Sequence, residues 1–450
     1  MATDTDKFSR LAALKAARVF PRKPPALRAP TEEDPLSRLL GGGIARNHYG
    51  DHLAIRNWFS TPEFAAPSPV TLDLLAQSRD VAVTHRTRAA LADSEKWLFL
   101  DTETTGLAGG TGTYAFLVGL AWWDAGGLQV EQLFLRDFSE ELSLLDELAA
   151  RLAERPVLVT FNGKAFDWPL LENRFTMTRT IRTPQLAAHL DLLHPARALW
   201  RLRLGSVRLV ELERQVLDAT RLGWRREDDI ASALIPQFYF DYLRGASALP
   251  LTSVVRHNQM DLRGLAALFG KINSMLENFE AGARSYESLD LFGLSKFLHR
   301  RGRRDWAHSA CLQALDLGLP EEFRPQATRE LAQMARQRGD LEGAAALWHE
   351  LLVHPQDGVL ACEQLAIHYE RRERNHARAL EFVELALKKI RQQGARSRDP
   401  FAGARAKRRE KQFMCRRDRL QHRIAKGQAA ARVPLLEHSA VAPGSRQRPR

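Results

Sequence analysis

Between residues 97 and 278 the chain alternates short apolar runs with amphipathic ones, and from about 284 to 390 only a helical period is left. WLFLDTETT, TYAFLVGLAWW and PVLVTFNG are brief apolar runs closed by glycine or polar residues, the pattern of strands buried on both faces. LQVEQLFLRDF alternates with a period near two. SEELSLLDELAARLAER repeats Leu at three- and four-residue spacing behind Ser139, the expected N-cap, and AFDWPLLENRF reads as a second helix. Three early strands, then a helix, a strand and more helices predict an α/β fold, a mixed sheet flanked by helices. The longest apolar run, Tyr114 to Trp123, is far shorter than the roughly 18 to 20 residues of a membrane span.

The 450 residues divide into five zones by pattern. Residues 1–43, with PRKPPALRAP and TEEDP, have linker chemistry or are disordered; Asp6 to Arg18 could form a short solvated helix. Residues 44–96 are an N-terminal extension expected to pack on the α/β domain, and GDHLAIRNWF in it is strand-like. Residues 97–278 are that α/β domain, 284–390 an all-α region, and 391–450 a basic tail, partly disordered. The tail holds 17 Lys/Arg against 4 Asp/Glu, so it accounts for the whole net charge of +12. Either it contacts phosphates or it only keeps the chain soluble. AKRREKQFMCRRDRLQHRIAKG within it can make one more basic helix. The N-terminus has no apolar secretory signal, and three widely spaced cysteines make no disulfide framework, so a cytoplasmic location is the default expectation.

Chemistry concentrates in three acidic elements. In Leu100-Asp101-Thr102-Glu103-Thr104-Thr105-Gly106, two acids at i and i+2 of a strand present both carboxylates to one face. Two such charges behind an apolar run repel each other, and a hard divalent cation between them relieves that repulsion. The second element, FNGKAFDWPLL, carries Asp167 among Phe166, Trp168 and Leu170, where an acid needs a partner or answers the helix dipole. In the third, His257-Asn258-Gln259-Met260-Asp261, helical i, i+4 spacing puts His257 and Asp261 on one face.

With these residues in this order, residues 95 to 275 resemble the DEDD exonuclease superfamily, which has a ribonuclease H-like fold. GLAGGTGTYAFLVGLAWW and LVELERQVL are similar to the bacterial YprB-type ribonuclease H-like domain, and FNGKAFDWPLL to the proofreading exonuclease segment of family B DNA polymerases. The resemblance implies a 3′–5′ exonuclease acting on DNA or RNA ends. It implies two metal ions, Mg²⁺ or Mn²⁺, held by Asp101, Glu103, Asp167 and Asp261, with His257 contacting the attacking water. Thr105 and Asn162 are then candidates for holding the terminal nucleotide. Only three residues separate His257 from Asp261, the spacing of the Tyr-type branch rather than the His-type, so His257 either deprotonates that water or orients it.

Other residues are weaker candidates. Asp191 either supports the site or merely ends a strand, and His189 and His194 flank it. Trp122 and Trp123 are candidates for base stacking, although neighbouring strand residues face opposite ways, so at least one belongs to a core. Lys164 either meets a phosphate or is solvated.

The all-α region carries a repeat. Leu294, Leu331 and Leu365 open three units, and Ala307/Ala344/Ala379, Cys311/Trp348/Val383 and Ala314/Leu351/Ala386 succeed them, each one residue later in the third unit than in the first two. This is similar to the tetratricopeptide pattern, with the first-helix Trp and Gly missing and Tyr369 in place. Such an array implies a protein partner. The alternative class is therefore a catalytically weak or inactive nuclease fold that works as a binding protein through its repeats.

Overall fold

The computed structural model describes residues 34–60, 68–76, 85–106, 112–124, 126–226, 229–280, 286–396 and 400–431. The expected helix in residues 6–18 and the stretch between Leu107 and Thr111 lie outside the described residues. The chain forms two compact units, divided between Arg303 and Arg304.

The first unit is built on one seven-stranded sheet in the order β1-β2-β5-β4-β3-β6-β7. Its strands are β1 (Gly43–Asn47), β2 (Gly50–Ser60), β3 (Trp97–Thr104), β4 (Ala115–Asp124), β5 (Gly127–Phe134), β6 (Val157–Thr160) and β7 (Ala188–Asp191). Pairings are antiparallel except β3–β6 and β6–β7, which are parallel. The mixed sheet is thus the expected one. The strand in GDHLAIRNWF does more than lean on it: β1 and β2 extend the same sheet along β5.

Helices of this unit are α1 (Pro35–Leu40), α2 (Pro69–Ala76), α3 (His85–Ala92), α4 (Glu141–Glu154), α5 (Asp167–Thr178), α6 (Leu193–Leu204), α7 (Ile235–Leu243), α8 (Leu249–Glu280) and α9 (Ser288–Arg300). Ser139 does not cap α4. It lies in a 3₁₀ turn over Phe138–Glu140, where the Asp137 side chain accepts from its N–H at 2.7 Å. Asp137 caps that turn, and α4 grows directly out of it from Glu140 without a side-chain cap.

Consecutive residues of β5 show how both faces of the sheet are covered. Glu131, fully buried, accepts from Arg151 of α4 at 2.5 Å and from Arg56 of β2 at 2.5 Å. Its neighbour Gln132 points the other way and donates to the Val255 carbonyl of α8 at 2.8 Å. The period-two alternation of β5 therefore sorts two buried polar faces, not a wet face from a dry one. Trp123 belongs to the core, edge-on to Phe99, whereas Trp122 lies beneath the guanidinium of Arg155 at 4.7 Å.

The second unit is helical: α10 (Arg304–Asp316), α11 (Arg324–Gln337), α12 (Leu341–Glu350), α13 (Gly358–Arg371), α14 (His376–Arg396) and α15 (Pro400–Ala431). Of the repeat positions, Ala307, Cys311, Leu331, Ala344, Trp348, Leu365, Ala379, Val383 and Ala386 are buried in it, whereas Leu294, which opens the first repeat, is buried in α9 of the first unit. The basic stretch after residue 400 is largely α15, whose Phe413 and Leu420 are buried with that core. Its arginines also have an internal use. Arg419 and Arg423 reach Glu370 of α13 at 2.8 and 3.2 Å, and Arg416 does so at 3.3 Å.

Leu420 is fully buried, so Leu420→Ala should destabilise the second unit by roughly 2–5 kcal/mol. Chemical denaturation followed by helical circular dichroism measures this; an unchanged midpoint would mean α15 is not part of the core.

Candidate active site

Trp97, Phe99, Asp101 and Glu103 alternate along β3 and all face α8. Trp97 meets Phe269 of α8 edge-on at 4.7 Å, while Asp101, four residues on, meets Asn258, eleven residues earlier in that helix. Helix and strand thus run in opposite senses, and the third acidic element is laid over the end of the first.

The contact between them is a single amide. Asn258 is fully buried; its Nδ2 donates to Asp101 Oδ2 at 2.8 Å, and its Oδ1 accepts from Gln132 Nε2 at 2.9 Å. Asp101, Gly119 and Gln132 stand opposite one another on β3, β4 and β5. Gly119, the middle one, has to be glycine, because a Cβ there would stand 2.1 Å from Asn258 Oδ1. In the sequence Asn258 stands out only as a neighbour of His257. It does carry a signal: a polar residue three positions before Asp261, on the face of an otherwise apolar helix.

Asp167 opens α5, and Thr102 of β3 donates to its Oδ1 at 2.5 Å. The turn before it is held by Asp191 at the end of β7. Asp191 accepts from the N–H groups of Asn162 (2.8 Å), Leu193 (3.0 Å) and Lys164 (3.2 Å). Asn162 takes the left-handed conformation at φ 68°, and a Cβ on Gly163 would stand 2.5 Å from Thr160 Cβ. Asn-Gly at this point is a backbone requirement that sets where Asp167 begins its helix. Thr105 pairs with Tyr114, donating its N–H to the Tyr114 carbonyl and accepting the Tyr114 N–H on Oγ1, both at 2.9 Å.

His257 and Asp261 share one face of α8, with Nε2 3.7 Å from Asp261 Oδ2. The other imidazole nitrogen, Nδ1, lies 2.8 Å from Asp229 Oδ1. Arg226 donates to Asp229, to Glu213 at 2.7 Å and to Asp261. Gly264, one turn after Asp261, leaves room for Glu213, whose Oε1 would be 2.1 Å from a Cβ at that position. Arg226 and Asp229 escape a reading of the sequence, because nothing around them ties them to a motif more than 25 residues away, and Glu213 lies within LVELERQVL without standing out as a site residue.

Four carboxylates therefore act on one another. Burial, then the charges of Asp261, Asp167 and Glu103, hold Asp101 well above the usual carboxylate range. Burial, with Asp261, Asp167 and Asp229, pushes Glu103 up to about 8 although His257 pulls it down. Burial also raises Asp167, against its hydrogen bond from Thr102. Burial would lower His257, but Asp229, Asp261 and Glu103 outweigh it and the imidazole is raised. A cluster of this kind favours protons or a cation. Among the described residues, no three His, Cys, Asp or Glu side chains converge at ligand geometry. The reason is local. Asp101 is turned to Asn258, Asp167 to Thr102 and Asp261 to Arg226.

Residues 98–273 match the model of the ribonuclease H superfamily, and their mixed sheet with flanking helices has a ribonuclease H-like fold; β1 and β2 precede the matched residues. The chain is also similar to uncharacterized protein YprB of Bacillus subtilis (strain 168). The two are 29% identical over 311 residues, which is 68% of this chain and 72% of that protein. No helix among the described residues is long and apolar enough to cross a membrane.

Glu103 gives the site a measurable pH signature. Its folded-state value, about 8, stands above the ordinary 4.5, so its protonated form is the one folding favours. That stability is complete below about pH 4.5 and is lost as pH rises through about 8. In EDTA, Glu103→Gln should melt above the wild type at about pH 9, by roughly 2–4 °C for each kcal/mol of repulsion removed, with the gap closing toward pH 5. A variant that melts no higher than wild type at the alkaline end would show that Glu103 is not in a repulsive cluster.

Proposed function

We propose that this chain is a metal-dependent 3′–5′ exonuclease that hydrolyses phosphodiester bonds at the ends of DNA or RNA. The observation that carries the reading is the mutual charge coupling of Asp101, Glu103, Asp167 and Asp261 on a ribonuclease H-like domain. An all-oxygen donor set of this charge fits Mg²⁺ or Mn²⁺, two ions being the number four carboxylates suit. Bound there, divalent ions supply a nucleophilic hydroxide near neutral pH and stabilise the leaving 3′-oxyanion. The four carboxylates would hold them. Asn258 fixes one oxygen of Asp101 and leaves the other for ligation. Asp229 holds Nδ1 of His257, so Nε2, which lies 3.4 Å from Ser232 Oγ and 3.7 Å from Asp261 Oδ2, would contact the attacking water, taking or orienting its proton. Thr105, just after β3, and Asn162, just after β6, would hold the terminal nucleotide. The repeats of the second unit, tetratricopeptide-like in pattern, would hold a protein partner.

One observation favours the second reading, a nuclease fold retained for binding. Arg226 already neutralises Asp261, one of the four acids. The two readings part on chemistry. Purified full-length protein should shorten a 5′-labelled oligonucleotide from its 3′ end in Mg²⁺ or Mn²⁺ and not in EDTA. Asp101→Asn should slow this by roughly 10²-fold or more. No shortening in either ion, with the oligonucleotide still bound, would establish the binding protein instead.

A further inference from the structure

A cavity of about 790 Å³ in the first unit, lined from the β6–α5 turn, β7, α6 and the end of α9, is strongly cationic. Lys164 enters it from the turn that leads to Asp167, His194 from the first turn of α6, and His299, Arg300 and Arg301 from the C-terminal end of α9. The two helices that carry His194, His299, Arg300 and Arg301 are locked together. Gly293 brings α9 against α6 so closely that a Cβ would stand 2.4 Å from the Leu199 carbonyl oxygen. Arg203 of α6 grips Asp290 of α9 through two bonds of 2.7 and 2.9 Å.

Lys164, Arg300 and Arg301 outnumber the carboxylate of the described lining, Asp191, whose oxygens accept from the backbone N–H groups of Asn162, Lys164 and Leu193. Among the described residues, no carboxylate pairs with Lys164, Arg300 or Arg301. The Arg301 guanidinium is half-buried, lies 5.4 Å from the Phe297 ring, and is lowered by burial with no anion to restore it. A desolvated cation without a partner is costly unless a ligand supplies the charge. His189 adds nothing to the charge, because burial holds it down to about 4 and its Nε2 is 2.9 Å from Thr160 Oγ1.

We propose that this cavity binds a backbone phosphate of the nucleic-acid strand whose end lies at the acidic cluster. This rests on the nuclease reading and adds where the strand runs. Lys164 is three residues from Asp167, so a chain held at the acids passes the mouth of the cavity along the β6–α5 turn. The guanidinium groups of α9 supply forked donors for phosphate oxygens. α9 lies beyond residue 273, the end of the superfamily match, so this site is an addition to the ribonuclease H-like domain.

Binding of a fluorescent single-stranded oligonucleotide to the full-length chain in EDTA, read by anisotropy across a salt series, tests the proposal without any cleavage. Arg300→Ala with Arg301→Gln should weaken binding roughly 10-fold and reduce the slope of log affinity against log salt by about 0.7 for each phosphate the variant no longer neutralises. Arg301→Lys, which keeps the charge, should recover part of both. Melting temperatures check that each variant is folded. Wild-type affinity and slope in the folded double variant would overturn the proposal, as would inorganic phosphate binding through Arg301 with no binding of the oligonucleotide. Loss of cleavage with strand binding intact would overturn the nuclease reading and leave this phosphate site standing.

Discussion

One buried amide organises the first unit. Asn258 spans the three central strands from above, tied to Asp101 on one side and Gln132 on the other, over a glycine that gives it room. Its polar atoms are paired in the interior, where an unpaired amide would cost about 1–3 kcal/mol. The register of a 32-residue helix on the sheet depends on it. Slide α8 by one residue and Asn258 loses both partners, while Asp261 turns away from β3. The same hydrogen bond holds the position of the first acid and that of the last.

Like charges then have to be tolerated at that junction. Asp101 and Glu103 sit beneath Asp261 with Asp167 beside them, and the protein meets the repulsion partly with its own donors: Thr102, Asn258 and Arg226. Arg226 is itself shared among Asp261, Glu213 and Asp229, and Asp229 in turn holds His257. Removing any member leaves a buried charge on its neighbour, so the network is costly to dismantle piecemeal. It is also a network that a divalent cation would have to compete with at Asp261.

Short-range periodicity makes much of this legible in the sequence. Spacing of two on β3 and of four on α8 are local geometry, and they place Asp101 with Glu103 and His257 with Asp261. The mixed sheet and the helical second unit come from alternation and repeat. What escapes is long-range or backbone-driven. Asp229 and Arg226 reach the site from 28 and 35 residues away along the chain, in a segment with no period to read. Asp191 looks like a strand-end acid, and it is one, but its carboxylate also builds the turn before Asp167. Ser139 has the right type for a cap, yet α4 grows out of a 3₁₀ turn that Asp137 caps. The basic tail reads as phosphate-binding or solvating; its helix instead spends several arginines on Glu370.

On the proposed function the four carboxylates act together on a bound cation, and burial with neighbouring charges raises Asp101, Glu103 and Asp167 above the usual carboxylate range. Calorimetric titration of Mn²⁺ into the full-length protein at about pH 7, repeated in two buffers of different ionisation enthalpy, tests this most directly. Because burial and neighbouring charges raise Asp101 and Glu103, an ion that ligates them should displace protons on binding, and Asp101→Asn should abolish both the heat and the release. Absence of binding, or binding that releases no proton and survives Asp101→Asn, would contradict the account.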